Sequence, residues 1–171
     1  MELQLTTCCV RSLRDHDALS LARHANNRNI WLNLRDGFPN PYSLEDAQLY
    51  IRKAQAQNSE TLFCIDVKGE AVGSIGFFVQ SDIERISAEI GYWLSEAYWG
   101  RGIMTEVVKA TTDYAVQSFH LHRIYATPFA DNKASCHVLE KAGYQLEGRL
   151  RKSAIKNNEI IDKLMYAFVV C

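Results

Sequence analysis

Residues 88–106 read AEIGYWLSEAYWGRGIMTE, and the fold turns on them. Over 85–94 the residues alternate. Ile86, Ala88, Ile90, Tyr92 and Leu94 fall on one side of an extended segment, and Arg85, Ser87, Glu89, Gly91 and Trp93 on the other. The first face is expected to be core, and the second is mixed, suited to lining a cleft. The period then changes. Met104, Val107, Val108, Thr111 and Ala115 make an apolar stripe opposite Glu106, Lys109, Asp113 and Gln117, which predicts an amphipathic helix over 102–118. Gly100, Arg101 and Gly102 stand at the junction. The first amides of a helix lack internal acceptors and sit in the positive potential of aligned peptide dipoles, so an anion is their natural guest. Glycines clear the approach, and Arg101 offers a forked cation to phosphate oxygens. The pattern points to pyrophosphate, although a glycine-rich helix start is also an ordinary tight turn.

Typing the loop narrows the choice. It lacks the lysine and Ser/Thr of a GxxxxGK[ST] phosphate loop, and it lacks the third glycine of GxGxxG. Both nucleotide readings weaken.

Outward from the junction, Leu3, Leu5 and 8–13 read as an opening strand, followed by an amphipathic helix from Asp15 to about Ala25. The stretch GFPNPY, 37–42, holds two of the three prolines and is predicted to be a stiff surface loop. Ser43 with Asp46 resembles a capping box opening a second helix that runs toward Gln57. Two β-rich runs, 61–67 and 71–79, are joined tightly through Lys68-Gly69-Glu70. Beyond the central helix come a strand over 123–129, a helix over 132–142 stopped by Gly143, and two strands around Asn157-Asn158. The predicted order is β-αα-βββ-α-β-α-ββ.

A chain of 171 residues, 47% hydrophobic, can bury a real core without metal or disulfide staples. Without repeat or linker, 1–171 reads as one domain. Nineteen basic against 20 acidic residues leave a net charge of -1, which does not favour nucleic acid as a partner. Five cysteines, with no CxxC pair, suggest reduced thiols and no zinc. Neither a secretory leader nor a membrane span is legible, so a cytoplasmic location with no membrane partner is expected, as monomer or homodimer.

The run AEIGYWLSEAYWGRGIMTE, followed by DNKASCHVLEKAGYQLEGRLR at 131–151, resembles the GNAT superfamily of acetyl-CoA-dependent N-acetyltransferases, in particular its RimJ/RimL-like branch. The family's phosphate loop, [QR]xxGx[GA], aligns with Trp99 to Met104. Its first and last positions depart from that pattern, whereas WGRGIM is similar to the GxGIM form of RimL-like members. The resemblance implies an α+β fold: a mixed, mostly antiparallel seven-stranded sheet splayed between its fourth and fifth strands, with about four helices on its two faces. It implies acetyl-CoA as cosubstrate, with no metal. Trp93 and Leu94 would offer backbone partners to pantetheine. Gly100, Arg101, Gly102, Ile103, Met104 and Thr105 would hold the pyrophosphate, and Asn132 with Ser135 would match the family's NxxS segment beside the thiol.

Acetyl transfer to an amine needs a neutral amine, a stabilised thioester oxygen and a proton for the departing thiolate. An α-amino group, with a pKa of about 7.7–8.0, needs less help from a base than lysine at about 10.4. Glu89 and Glu96 are the candidate bases. Each also has a plain reading: Glu89 paired with a cation such as Arg85, Glu96 solvated in a loop. Many family members carry a tyrosine to protonate the thiolate where this chain has Leu139, leaving Ser135 as the donor, unless Ser135 serves in helix capping or packing. Cys136, His120 and His122 read as packing, helix-end or surface residues. The aromatic loop 38–42 either covers the acceptor or is a simple connector. By branch, the expected acceptor is a protein N-terminal α-amine, such as that of a ribosomal protein. The alternatives are a polyamine, antibiotic or amino-acid-like amine, or a CoA-binding module without catalysis.

Overall fold

The computed structural model describes residues 2–170. The first strand-forming segment splits in two: β1 (Glu2–Gln4) and β2 (Cys9–Ser12) pair antiparallel, because the chain reverses where Leu5 N–H donates to Cys8 C=O at 2.9 Å. This raises the strand count from the expected seven to eight. A 3-10 turn, Asp15–Asp17, leads into α1 (Ala18–Ala25). The next segment, read as irregular from sequence, contains a short helix, α2 (Arg28–Trp31). Asn27 caps it by accepting from the amides of Asn29 and Ile30.

Helix α3 (Leu44–Gln55) opens with the predicted capping box. Ser43 Oγ accepts from Asp46 N–H at 3.2 Å, and the Asp46 carboxylate accepts from Ser43 N–H at 2.8 Å. Such a cap stabilises a helix by about 1 kcal/mol. Then follow β3 (Leu62–Val67), β4 (Glu70–Val79), β5 (Ser87–Leu94), α4 (Ile103–Phe119), β6 (Arg123–Ala126), α5 (Lys133–Lys141), β7 (Gln145–Lys156) and β8 (Glu159–Val169). Among the described residues five α-helices thus stand against the four expected. The strand order is β1-β2-β3-β4-β5-β6-β8-β7. The β5–β6 pair is parallel, and the other registered pairs are antiparallel.

The parallel pairing of β5 and β6 is short. It runs Ser87↔Arg123, Ala88↔Ile124 and Glu89↔Tyr125; β6 ends at Ala126, while β5 continues to Leu94. Ala88, Ile90 and Leu94 are buried as their alternation predicts. Ile86 is not: it precedes the strand and is half exposed, although its carbonyl still accepts from His122 N–H. The turn between β7 and β8 falls on Asn157 and Asn158, at φ 51° and 64°, the left-handed conformation asparagine tolerates.

The chain divides into two compact units. One comprises the residues up to Gly76 with Tyr92–Val107, and its core joins Leu13, Leu21, Ala47, Ile51, Leu62 and Cys64. In the same unit Arg11 donates to Asp17 and Asp66, all three nearly inaccessible to solvent. Burial pushes the Asp17 carboxyl up, but hydrogen bonds from Arg11 and from the Arg14 amide outweigh it and hold it below its ordinary value. The other unit comprises Phe77–Gly91 with the chain from Val108 onward, and Phe77, Tyr114 and Phe119 stack within it.

Candidate active site

The residues expected to hold phosphate lie in the first unit. Gly100 and Gly102 take φ 74° and 79°, which other residues adopt only at a cost of about 1–2 kcal/mol. A Cβ built on either glycine meets no heavy atom within 4 Å, so the side of the loop they leave bare is open. Helix α4 starts its own ladder where Thr105 N–H and Glu106 N–H both donate to Gly102 C=O, at 3.1 and 3.3 Å. The amides of Ile103 and Met104 therefore have no acceptor within the helix, while Thr105 has spent its amide and brings its hydroxyl. The Ile103 and Met104 side chains are buried and anchor this helix start. Exposed Arg101 lies over the Tyr98 ring, 5.3 Å from its centroid. A bare loop, free amides and a tethered guanidinium fit a pyrophosphate.

Strand β5 delivers the chain to this loop. Ser95 N–H donates to Val72 C=O at 2.8 Å, and the Trp93 carbonyl packs so close to β4 that a Cβ on Gly73 would lie 2.5 Å from it. Backbone groups alternate sides along a strand, so Leu94 turns its amide away from β4. Its carbonyl accepts from the Trp99 indole at 2.8 Å. Of the two residues expected to meet pantetheine, Leu94 has the amide free of β4, and Trp93 contributes its ring. That ring packs edge-on against Phe38 at 5.8 Å, and Phe38 stacks on Tyr42 at 4.7 Å, so the aromatic loop closes on the end of β5.

Glu96 follows immediately and is exposed. Its carboxylate accepts from Asn27 Nδ2 at 2.7 Å and from Asn29 Nδ2 at 3.0 and 3.2 Å. These partners were not found from sequence. The run Asn26-Asn27-Arg28-Asn29 signals a cap or turn locally, and nothing local points across to Glu96. Beside it, Ser95 Oγ lies 2.8 Å from His24 Nδ1, and His24 Nε2 lies 2.9 Å from Glu70. Burial, assisted by the neighbouring Arg23 charge, holds the His24 imidazole below its ordinary pKa.

The other candidates lie in the second unit. Half-buried Glu89 accepts from Thr127 Oγ1 at 2.8 Å, while Arg85 donates to the Asp82 carbonyl. Asn132 is the N-cap of α5: its Oδ1 accepts from Ser135 N–H at 3.1 Å. Capping thus falls to Asn132, through the amide and not the hydroxyl of Ser135. Leu139 is fully buried, and Cys136 is a packed thiol whose pKa is raised chiefly by burial; the hydroxyl of nearby Tyr166 donates to Glu140 at 2.8 Å. Among the described residues no cluster of His, Cys, Asp and Glu could hold a metal, and no helix is long and apolar enough to cross a membrane.

Residues 8–145 match the acetyltransferase (GNAT) domain family. The chain belongs to that family. Among its relatives, the uncharacterized N-acetyltransferase YoaA of Bacillus subtilis is 37% identical over 58% of this chain and 56% of its own length. The ribosomal-protein-serine acetyltransferase of Escherichia coli is 32% identical over 64% of this chain and 60% of its own. The spermidine N(1)-acetyltransferase of Escherichia coli is 26% identical over 88% of this chain and 79% of its own. The matched stretches thus span little more than half the length of the first two relatives. The GNAT fold is seen again in the solved structure of RimL, a ribosomal L7/L12 alpha-N-protein acetyltransferase in complex with coenzyme A. Its TM-score is 0.88 at 22% identity, over 99% of this chain and 98% of that one.

Proposed function

We propose that residues 1–171 act as a single cytoplasmic N-acetyltransferase domain that moves acetyl from acetyl-CoA directly to a primary amine, with a protein N-terminal α-amine as the leading acceptor. The observation that carries the cofactor is the glycine loop: two left-handed glycines with nothing over them, before helix amides that have no internal acceptor. RimJ/RimL-like relatives support the acceptor. Gly100, Arg101, Gly102, Ile103 and Met104 hold the pyrophosphate, Thr105 adds its hydroxyl, and the Leu94 amide meets pantetheine or the thioester oxygen.

In the reaction, the amine lone pair forms a bond to the acetyl carbon while the carbon–sulfur bond breaks. Glu96 takes the amine proton, directly or through water, because its carboxylate is exposed and fixed in place. Glu89 is the second candidate for that proton. Ser135 supplies the proton to the departing thiolate, beside Asn132. No covalent enzyme intermediate and no metal takes part.

A polyamine acceptor is the second reading, favoured by the spermidine acetyltransferase whose match covers most of this chain. Thiol release from acetyl-CoA, measured with a peptide bearing an N-terminal serine and with spermidine, separates the two. Tight acetyl-CoA binding with no turnover on any amine leaves a CoA-binding module. A thermal shift with ATP or NAD and none with CoA removes the cofactor assignment.

A further inference from the structure

We infer that Asn27 and Asn29 are positioning residues that fix the Glu96 carboxylate for the acceptor amine, and that Asn26 ties the aromatic loop to the same strap. The inference rests on the acetyltransferase reading of Glu96 and goes beyond it in naming what orients that residue. Glu96 follows the buried Ser95 and starts a single 3-10 turn, Glu96–Tyr98, so its own backbone gives the side chain little support. An exposed glutamate there is expected to sample several rotamers, at a side-chain entropy cost whenever it must be held in one.

The strap between α1 and α2 removes that freedom. Both carboxylate oxygens are engaged: Oε2 by Asn27 at 2.7 Å, and both oxygens by the Asn29 carboxamide at 3.0 and 3.2 Å. Neutral carboxamides bind the carboxylate without a competing cation, so its charge remains for an incoming amine. Asn27 is itself fixed, because its Oδ1 accepts from the Asn29 and Ile30 amides at the start of α2. Asn29 is held at the backbone by that cap and by the Asn33 side chain, which donates to its carbonyl at 2.9 Å.

The strap reaches two more pieces of the same unit. Asn26 Oδ1 accepts from Tyr42 N–H at 3.1 Å, which pins the loop whose Phe38 packs on Trp93. His24 meets Ser95 Oγ at 2.8 Å, the residue before Glu96. Four side chains between His24 and Asn29 therefore set the Ser95–Glu96 segment and the aromatic loop together.

Asn29 gives the clean test, because Asn29→Ala deletes its own two contacts with Glu96 and leaves the Asn27 cap of α2, and the Asn27 bond to Glu96, in place. The experiment is a double-mutant cycle of wild type, Asn29→Ala, Glu96→Gln and the pair. It reads kcat/KM for a serine-terminated peptide and for spermidine, the affinity of each amine with CoA present, and the affinity for CoA alone. Asn29→Ala is expected to lower amine kcat/KM about tenfold in the wild-type background and less than twofold in the Glu96→Gln background, with CoA affinity unchanged. Asn29→Asp, which sets a carboxylate against Glu96, is expected to cost more than Asn29→Ala and to move the acid limb of the pH–rate profile upward. Equal losses in the two backgrounds, or a parallel loss of CoA binding, overturn the inference and leave a structural role. If wild type binds the amines without turnover, the acetyltransferase reading fails alone. Non-additive amine affinities then still support the strap, and additive ones overturn it. A protein that binds CoA and neither amine overturns both.

Discussion

Glu96 and Glu89 are both candidates for the same proton, yet the molecule treats them differently. Glu96 is exposed, past the end of β5, and three carboxamide hydrogen bonds from a strap elsewhere in its unit fix it. Glu89 is half-buried within β5 and accepts from a threonine hydroxyl on the chain just beyond β6. Glu89 lies within β5 and Glu96 in the turn just after it; what differs is the surroundings each has been given. A carboxylate held by neutral donors at the surface suits a role toward a mobile amine, whereas one bonded to Thr127 next to the short β5–β6 pairing suits holding two strands in register.

The largest effect is expected at the loop that serves either carboxylate. Gly102→Val forces a β-branched residue to φ 79° and fills the open side, and CoA affinity should fall about 100-fold by titration calorimetry on folded protein. Unchanged affinity removes the pyrophosphate assignment. Next, Glu96→Gln should lower kcat/KM for the amine about 100-fold, the lower end of general-base contributions, while Glu89→Gln changes it only severalfold. The reverse order would hand the role to Glu89. Ser135→Ala is expected to lower kcat about tenfold with acetyl-CoA affinity held, since the Asn132 cap uses the Ser135 amide, which alanine keeps. Equal losses in both would mean binding and not proton transfer.

The smallest effects concern stability. Asn132→Ala should cost about 1 kcal/mol in chemical denaturation, through the lost α5 cap. Because the Asp17 carboxyl is held below its ordinary value in the folded chain, its contribution is present above the unfolded pKa. It is lost as pH falls through the folded one. Denaturation midpoints should therefore drop below about pH 4, and less so in Asp17→Asn, which starts lower.

The elements that sequence revealed are those whose physics is local. The Ser43–Asp46 box, the Asn157-Asn158 turn, the positive φ of Gly100 and Gly102 and the apolar stripe from Met104 to Ala115 each lie within a few residues of their cause. Helix α2 escaped because one turn gives no periodicity, although Asn27 is a good N-cap. The β1–β2 reversal escaped because TTCC carries no glycine or proline to mark it. Ile86 departs from the core its alternation predicts because the strand begins only at Ser87. As candidates, the glycine loop, Asn132, Ser135 and both glutamates can be picked out by residue type and resemblance. The strap could not: its bonds to Glu96 join positions 67 and 69 residues apart, and only folding brings an asparagine-rich turn to that carboxylate.

The measurement that tests the account most directly is thiol release from acetyl-CoA by the purified chain, with mass spectrometry of a serine-terminated peptide and of spermidine in parallel. CoA release should be matched one for one by an acetylated primary amine and be strongly reduced in Gly102→Val and in Glu96→Gln. CoA binding without acetylation of any amine, or release that persists undiminished in both variants, would contradict it.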